Sequence, residues 1–302
     1  MPLIGIKDFE RVSPVFAGKQ GNALARRLMH WVAIDKIGEL YDRNIAYQGP
    51  AFVDHIFDDI GIDYQMAGCE MLESLREGPF ITVSNHPYGG IDGMILIDLF
   101  GHIRADFKVM VNTFLSMIKT LNVSFINVVP TGDGEHVVNP ESVTGVKRSL
   151  SHLRDGHPLG LFPSGAVSDL NLFNGGIRDR KWQEPVIRLI KKANVPVVPV
   201  RFFDRNSALF YSLGLMSWKI RMLRLPREIL NKARKTIRVA IGSIITPDQQ
   251  QEYHKPEDLC NFLRKSVYDM PLPDNLVWRS GMSERWPEFA VEPQLQRMNI
   301  DV

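Results

Sequence analysis

The sequence predicts an α/β fold: a mostly parallel central sheet with helices on both faces and a helical attachment at the N-terminus. Three observations carry that expectation. Short runs rich in β-branched and apolar residues recur between positions 79 and 243, without the polar alternation of a strand that has one wet face. Between them lie segments whose apolar residues recur at helical spacing. Strand and helix patterns alternate, as they do when helices make the crossovers of a parallel sheet.

Taken in order, residues 1–20 carry Pro and Gly punctuation and read as loosely ordered. From Asn22 to Tyr47 the chain reads as one amphipathic helix, with Leu24, Leu28, Trp31, Ile34, Ile37 and Leu40 on a stripe. Residues 51–75 read as one or two short helices ending at "REGP". The strand runs are "PFITVS" (79–84), "FKVMVN" (107–112), "VSFINVV" (123–129), "PLGLFPSG" (158–165), "VPVVPVRFF" (195–203) and "KTIRVAIGS" (235–243). Helical patterns fall at 91–103, 113–121, 140–155, 182–194, 226–234 and 247–269. Proline cannot donate to a ladder, so the prolines of "VPVVPV" point to a sheet edge or a strand end. The resulting division is 1–75 helical segment, 76–270 α/β domain and 271–302 Pro-punctuated tail.

Composition narrows the function classes. The chain has 302 residues, 44% of them hydrophobic, enough for one sizeable core. Two cysteines, Cys69 and Cys260, support neither a disulfide framework nor a cysteine metal site, and they fit a reducing compartment. "MPLIGIKDFERVSPVF" has early acids and no long apolar stretch, so no signal peptide is expected. No run of 18 or more apolar residues exists, so any membrane contact is expected at the surface.

The stretch "ITVSNHPYGGIDGMIL" (81–96) carries the chemistry. His86 falls where a buried strand should end, and Asp92 where the next helix should begin. Ligand sites of open α/β sheets form at the carboxyl ends of strands. A histidine there can act as a general base near neutral pH, with a carboxylate on its other ring nitrogen fixing the tautomer. Gly89 and Gly90 let the backbone fold Asp92 back towards His86. Spacing alone leaves a structural alternative open: Asp92 as an acid complementing the helix dipole and His86 as a half-buried, satisfied histidine. A metallophosphoesterase reading of "SNHP" with "TGDGEH" (131–136) has the motif order reversed and lacks an Asp-x-His pair, so no metal is expected. No Gly-x-Ser-x-Gly elbow is present for a serine hydrolase.

Three blocks in order resemble the glycerolphosphate/lysophospholipid acyltransferase superfamily. "NHPYGGID" resembles its His-x4-Asp block, "LGLFPSGAVSD" (159–169) its Phe-Pro-Glu-Gly-x-x-Ser block, and "VPVVPV" (195–200) its Val-Pro-Ile-Val-Pro-Val block. The texture is closest to the bacterial hemolysin-named branch, which includes enzymes acylating ornithine and glycine lipids. The likeness extends from "YDRN" near the N-terminus to "LPREILNKARKTIRVAIG" (225–242). Three departures stand out. Five residues separate His86 from Asp92, Ser164 replaces the usual Glu, and "SFINVVP" lacks the usual phosphate-binding Arg.

The resemblance implies a glycerol-3-phosphate-acyltransferase-like fold and acyl transfer from acyl carrier protein or coenzyme A to the hydroxyl of a lyso-lipid, with no permanently bound cofactor. His86 would be the base and Asp92 its partner. Ser164, Gly165 and Ser168 would line the acceptor pocket, and N–H groups near Gly165, Gly89 or Gly90 would face the oxyanion. Asn85 would brace the turn. The missing Glu and Arg favour an acceptor without a phosphomonoester, such as a lyso-amino-acid lipid. The alternatives are lysophosphatidic acid acylation and a non-catalytic lipid- or carrier-binding relative.

Charge is uneven along the chain. The whole carries +2, yet residues 205–238 hold nine Lys/Arg against Glu228 alone. Trp218, Lys219, Arg221, Arg224 and Arg227 lie there among aromatic and aliphatic residues. That mixture suits an anionic membrane surface or an acidic carrier protein; a solvated basic face over core residues is the alternative. No nucleic-acid motif accompanies it. The expected place of action is the cytoplasm, peripheral on the inner face of the cell membrane.

Overall fold

The computed structural model describes residues 17–129, 140–171 and 176–289. The mostly parallel α/β architecture is present. The expected N-terminal helix is two: α1 (Gly18–Val32) and α2 (Ile34–Arg43), broken at Ala33, which takes a left-handed conformation at φ 61°. Helix α3 (Gly49–Ile60) starts with Pro at its first turn and ends on the left-handed Gly61.

All six expected runs are strands: β2 (Ile81–Ser84), β3 (Lys108–Asn112), β4 (Phe125–Val128), β5 (Leu159–Leu161), β8 (Val197–Phe202) and β9 (Ile237–Ile241). Two were not expected in the main sheet. β1 (Tyr64–Ala67) lies inside the stretch read as helical and pairs parallel with β9. β10 (Val277–Trp278) lies in the expected tail and pairs antiparallel with β1. A separate hairpin joins β6 (Asp169–Asn171) to β7 (Gly176–Arg178). The main sheet runs β10-β1-β9-β8-β2-β5-β3-β4, and the run from β8 to β4 is parallel throughout.

The proline expectation for β8 is corrected. β8 is a central strand, and Pro199 lies inside it opposite Val83 of β2. On the other side β9 leaves the ladder after Ile241; Gly242 N–H donates to the Pro199 carbonyl, and pairing resumes at Val197 with Ile245. The missing proline donor thus falls at an interruption of the ladder between β8 and β9.

Helices cover both faces. On one, α4 (Gly90–Ile103) packs with α3; Phe52, Val53, Ile95, Leu96, Leu99 and Phe100 share a core with Val198, Ile237 and Val239. On the other, α5 (Pro140–Arg154), α6 (Glu184–Ala193) and α11 (Pro256–Tyr268) cover Ile81, Val83, Leu159 and Val197 through Leu153, Ile187, Ile190, Leu259 and Leu263. The pattern expected at 113–121 forms two short 3-10 turns. That expected at 247–269 is interrupted, with α10 (Pro247–Gln251) preceding α11. Residues 205–236 fold as α7 (Ala208–Met216), α8 (Trp218–Leu223) and α9 (Leu225–Leu230). Met282, Trp286 and Phe289, beyond β10, are buried in the first core.

Candidate active site

Strand β2 delivers His86 to the carboxyl edge of the parallel run, and α4 begins four residues later at Gly90. The turn between them is tight. Gly89 has φ 83° and ψ −116°, a conformation essentially open only to glycine. Its N–H and that of Tyr88 both donate to Asp92 Oδ2, each at 2.9 Å, while Asp92 N–H donates back to the Gly89 carbonyl. Asp92 therefore caps its own helix and closes the turn.

The same Oδ2 lies 2.9 Å from His86 Nδ1. The contact has ion-pair distance with a bent approach, rather than a linear N–H···O line. Asp92 is wholly buried, and burial pushes its carboxyl above the ordinary value; the contact with His86 and the two N–H donors oppose that rise. One imidazole face stacks on Phe162, centroids 4.0 Å apart at 28°. With Nδ1 turned to the carboxylate, Nε2 is the ring nitrogen turned away from it. The structure places a partly exposed histidine against a buried carboxylate, an arrangement that a dyad and a purely structural pair share.

The neighbours fix this turn from several elements. Asn85 exchanges two hydrogen bonds with the main chain of Phe202, both 2.8 Å, so it ties the end of β2 to β8. Asn206 Nδ2 donates to the Tyr88 carbonyl and Tyr211 hydroxyl to the Pro87 carbonyl. Ser168 N–H donates to the His86 carbonyl at 2.9 Å.

A family model described as Acyltransferase matches residues 12–273. The chain belongs to this acyltransferase family. It is similar to a lyso-glycine lipid O-acyltransferase of Bacteroides thetaiotaomicron, 27% identical over 78% of this chain and 91% of the relative. It is likewise similar to a lyso-glycine lipid O-acyltransferase of Phocaeicola vulgatus, 26% identical over 87% of this chain and 94% of the relative. Among solved structures, the 1-acyl-sn-glycerophosphate (LPA) acyltransferase PlsC from Thermotoga maritima aligns with a TM-score of 0.44 at 14% identity, covering 82% of this chain and 93% of that one.

Within this acyltransferase several sequence-expected residues have other partners. Ser164 is buried and donates its hydroxyl to the Ala166 carbonyl; Ser168 is buried and donates to Asp179 Oδ1. Both hydroxyl protons are engaged within the protein. Gly165 has φ 65°, and its N–H closes a turn on the Phe162 carbonyl. That N–H and the Gly89 N–H are therefore both occupied, which removes them as oxyanion donors. Gly90 remains: as the first residue of α4, its N–H has no intrahelical acceptor.

The basic stretch is also corrected. Arg221 is 3% exposed and is not a surface cation. Its guanidinium pairs with the Asp169 carboxylate, donates to the Ser168 carbonyl at 3.2 Å and lies over Phe210. Lys232 is buried as well, donating to the Arg205 carbonyl at 3.0 Å; burial pushes its ammonium down to about 8. Arg224 is half-buried over the Trp31 ring, centroid 5.0 Å away. Trp218 and Lys219 are exposed as expected, and Arg227 is half-buried. Glu228, the stretch's one acid, is buried on Ser207, so the exposed charge of residues 205–236 is entirely positive.

Sequence reasoning missed Phe162, Tyr211, Asn206 and Asp179, each brought to the turn by long-range contacts. It also missed a buried cluster on the far end of α4. There Asp98, Asp54 and His102 could together hold a cation. Arg279 fills that role, bonding Asp98 through Nε at 3.1 Å and pairing with Asp54, and Tyr64 hydroxyl donates to Asp98 at 2.6 Å. The motif "TGDGEH" (131–136) lies outside the described residues.

Proposed function

We propose that this acyltransferase moves a fatty acyl group from a thioester, on acyl carrier protein or coenzyme A, to the hydroxyl of a lyso-amino-acid lipid. The observation that carries the reading is the buried Asp92 behind His86 at the carboxyl edge of the parallel run, in a chain similar to two lyso-glycine lipid O-acyltransferases. His86 Nε2 accepts the acceptor's hydroxyl proton as that oxygen bonds to the thioester carbonyl carbon. The tetrahedral oxyanion collapses, the carbon–sulfur bond breaks, and the imidazolium returns its proton to the departing thiolate. Asp92 fixes the Nδ1–H tautomer and balances the charge that develops on the ring. The N-terminus of α4, with the Gly90 N–H, favours the oxyanion.

A phosphate-free acceptor fits the neutral surroundings. Ser164 stands where the resembled superfamily carries Glu, and the two guanidinium groups that reach the Ser168–Asp169 segment, Arg221 and Arg180, both pair with the Asp169 carboxylate. A lipid acceptor also needs an interface. Among the described residues, no helix is long and apolar enough to cross a membrane. The outer side of α7 and α8 instead exposes Leu215, Met216 (78%), Trp218 (59%), Ile220, Met222 and Leu223. With Lys219 exposed on α8 and Arg205 exposed just before α7, this face suits an anionic bilayer.

The test offers the purified protein labelled acyl-carrier protein and acyl-coenzyme A, with lyso-glycine lipid, lyso-ornithine lipid and lysophosphatidic acid as acceptors. Transfer to the amino-acid lipids is expected. Strong selectivity for lysophosphatidic acid would replace the acceptor assignment.

A further inference from the structure

A second buried carboxylate, besides Asp92, bonds the turn that carries His86. Asp179 follows β7 in "GIRDRKW" (176–182) and is 5% exposed. Its Oδ1 accepts the main-chain N–H of His86 at 3.1 Å and the Ser168 hydroxyl at 2.5 Å. Its Oδ2 accepts the Trp182 indole N–H at 3.2 Å. The residue's own main chain is anchored to α11: its N–H donates to the Tyr268 hydroxyl and its carbonyl accepts from Arg264, both at 2.8 Å.

The consequence for His86 is specific. Its N–H is held by Asp179 and its carbonyl by the N–H of Ser168, whose side chain Asp179 also holds. Both ends of the residue that carries the imidazole are therefore fixed by one carboxylate and the serine it grips. Three donors converge on Asp179, a demand that an ionised carboxylate meets and an amide does not, because an amide would turn its NH2 towards one of them. Buried carboxylates with their donors matched resist rearrangement, since each lost bond strands a buried group.

We propose that Asp179 is a positioning residue for the acyl-transfer step: it holds the His86 main chain so that the imidazole stays between Asp92 and Phe162, and it ties that register to helix α11. The proposal rests on the acyltransfer reading for its rate effect, but not for its structural effect. A base displaced by about 1 Å loses on the order of 10²-fold in rate.

The experiment compares wild type with Asp179→Ala and Trp182→Phe, measuring kcat, KM for the acyl donor and for the lyso-lipid, the thermal midpoint, and hydrogen exchange over residues 84–92. Asp179→Ala removes the acceptor of the His86 N–H and the Ser168 hydroxyl; it is expected to lose about 10²-fold in kcat with both KM values within about threefold, and to exchange faster across the turn. Trp182→Phe removes one donor to Asp179 while leaving the His86 and Ser168 bonds; it is expected to lose stability with little loss of kcat. Should the Ala variant not fold, Asp179→Glu keeps the charge but displaces it by one methylene, and the same fall in kcat at steady KM is expected. A folded Asp179 variant with unchanged kcat and unchanged exchange in the turn overturns the proposal, as does an equal kcat loss in Trp182→Phe. If the wild type transfers no acyl group to any acceptor, the acyltransfer reading fails, and the exchange measurement still decides whether Asp179 holds the turn.

Discussion

At the residue scale, the turn from Asn85 to Asp92 concentrates its demands on three positions. Gly89 must take a backbone conformation closed to other residues, and a Cβ there would meet Leu225 at 3.0 Å and Val167 at 3.2 Å. Gly89→Ala is expected to destabilise the fold by about 1–3 kcal/mol, read by denaturant unfolding, and to slow turnover by disturbing both donors to Asp92. Asp92→Asn tests the partner of the base. An amide keeps the size but cannot stabilise the imidazolium, so a loss of at least about 10²-fold in kcat is expected with the lyso-lipid KM little changed. The histidine and aspartate were legible in the sequence because a strand run leads directly into them. Asp179 was not: it lies 93 residues from His86, and only the fold joins them.

At the element scale, the α7–α8 pair has two faces with different tasks. Its inner face holds the His86–Asp92 turn through Tyr211 and the Ser168–Asp169 segment through Arg221. Its outer face exposes Leu215, Met216 and Trp218, the last under the Lys219 ammonium, in a stretch whose exposed charges are all positive. Replacing Met216 and Trp218 by Asp is expected to abolish sedimentation with anionic vesicles while leaving the thermal midpoint within a few degrees, because neither side chain is in the core. Binding unchanged in that variant would remove this face as the membrane contact. The sequence revealed the basic and aromatic mixture but not which members are buried; composition does not say that Arg221 turns inward to meet Asp169. Nor did it reveal the break at Ala33, since the apolar stripe continues through it at helical spacing.

At the scale of the whole molecule, the parallel run was legible because strands buried on both faces read as continuous apolar stretches. β1 was not: it has four residues, and its pairing with β9 spans the chain from Tyr64 to Ile237. The segment after β10 is fastened to helices α3 and α4 by Arg279, inserted between Asp54 and Asp98. Arg279→Leu would strand the buried Asp98 and the half-buried Asp54 and is expected to cost about 3–5 kcal/mol, measured by urea unfolding. His102 belongs to the same cluster. Burial alone would lower its affinity for a proton, but Asp54 and Asp98 outweigh burial and raise its pKa above the ordinary value. Its contribution to stability is therefore complete below the ordinary histidine range, about pH 6.5, and is lost as pH rises through the raised native value. The thermal midpoint is expected to fall between pH 6 and pH 9 by more in wild type than in His102→Gln.

The central claim is that His86 is the base of an acyl transfer. The measurement that tests it most directly is single-turnover transfer of a labelled acyl group from acyl carrier protein or coenzyme A to lyso-glycine lipid, wild type against His86→Ala, with circular dichroism on both. The account predicts a folded variant whose rate falls by about 10²–10⁴-fold. A folded His86→Ala protein that transfers the acyl group at the wild-type rate would contradict it.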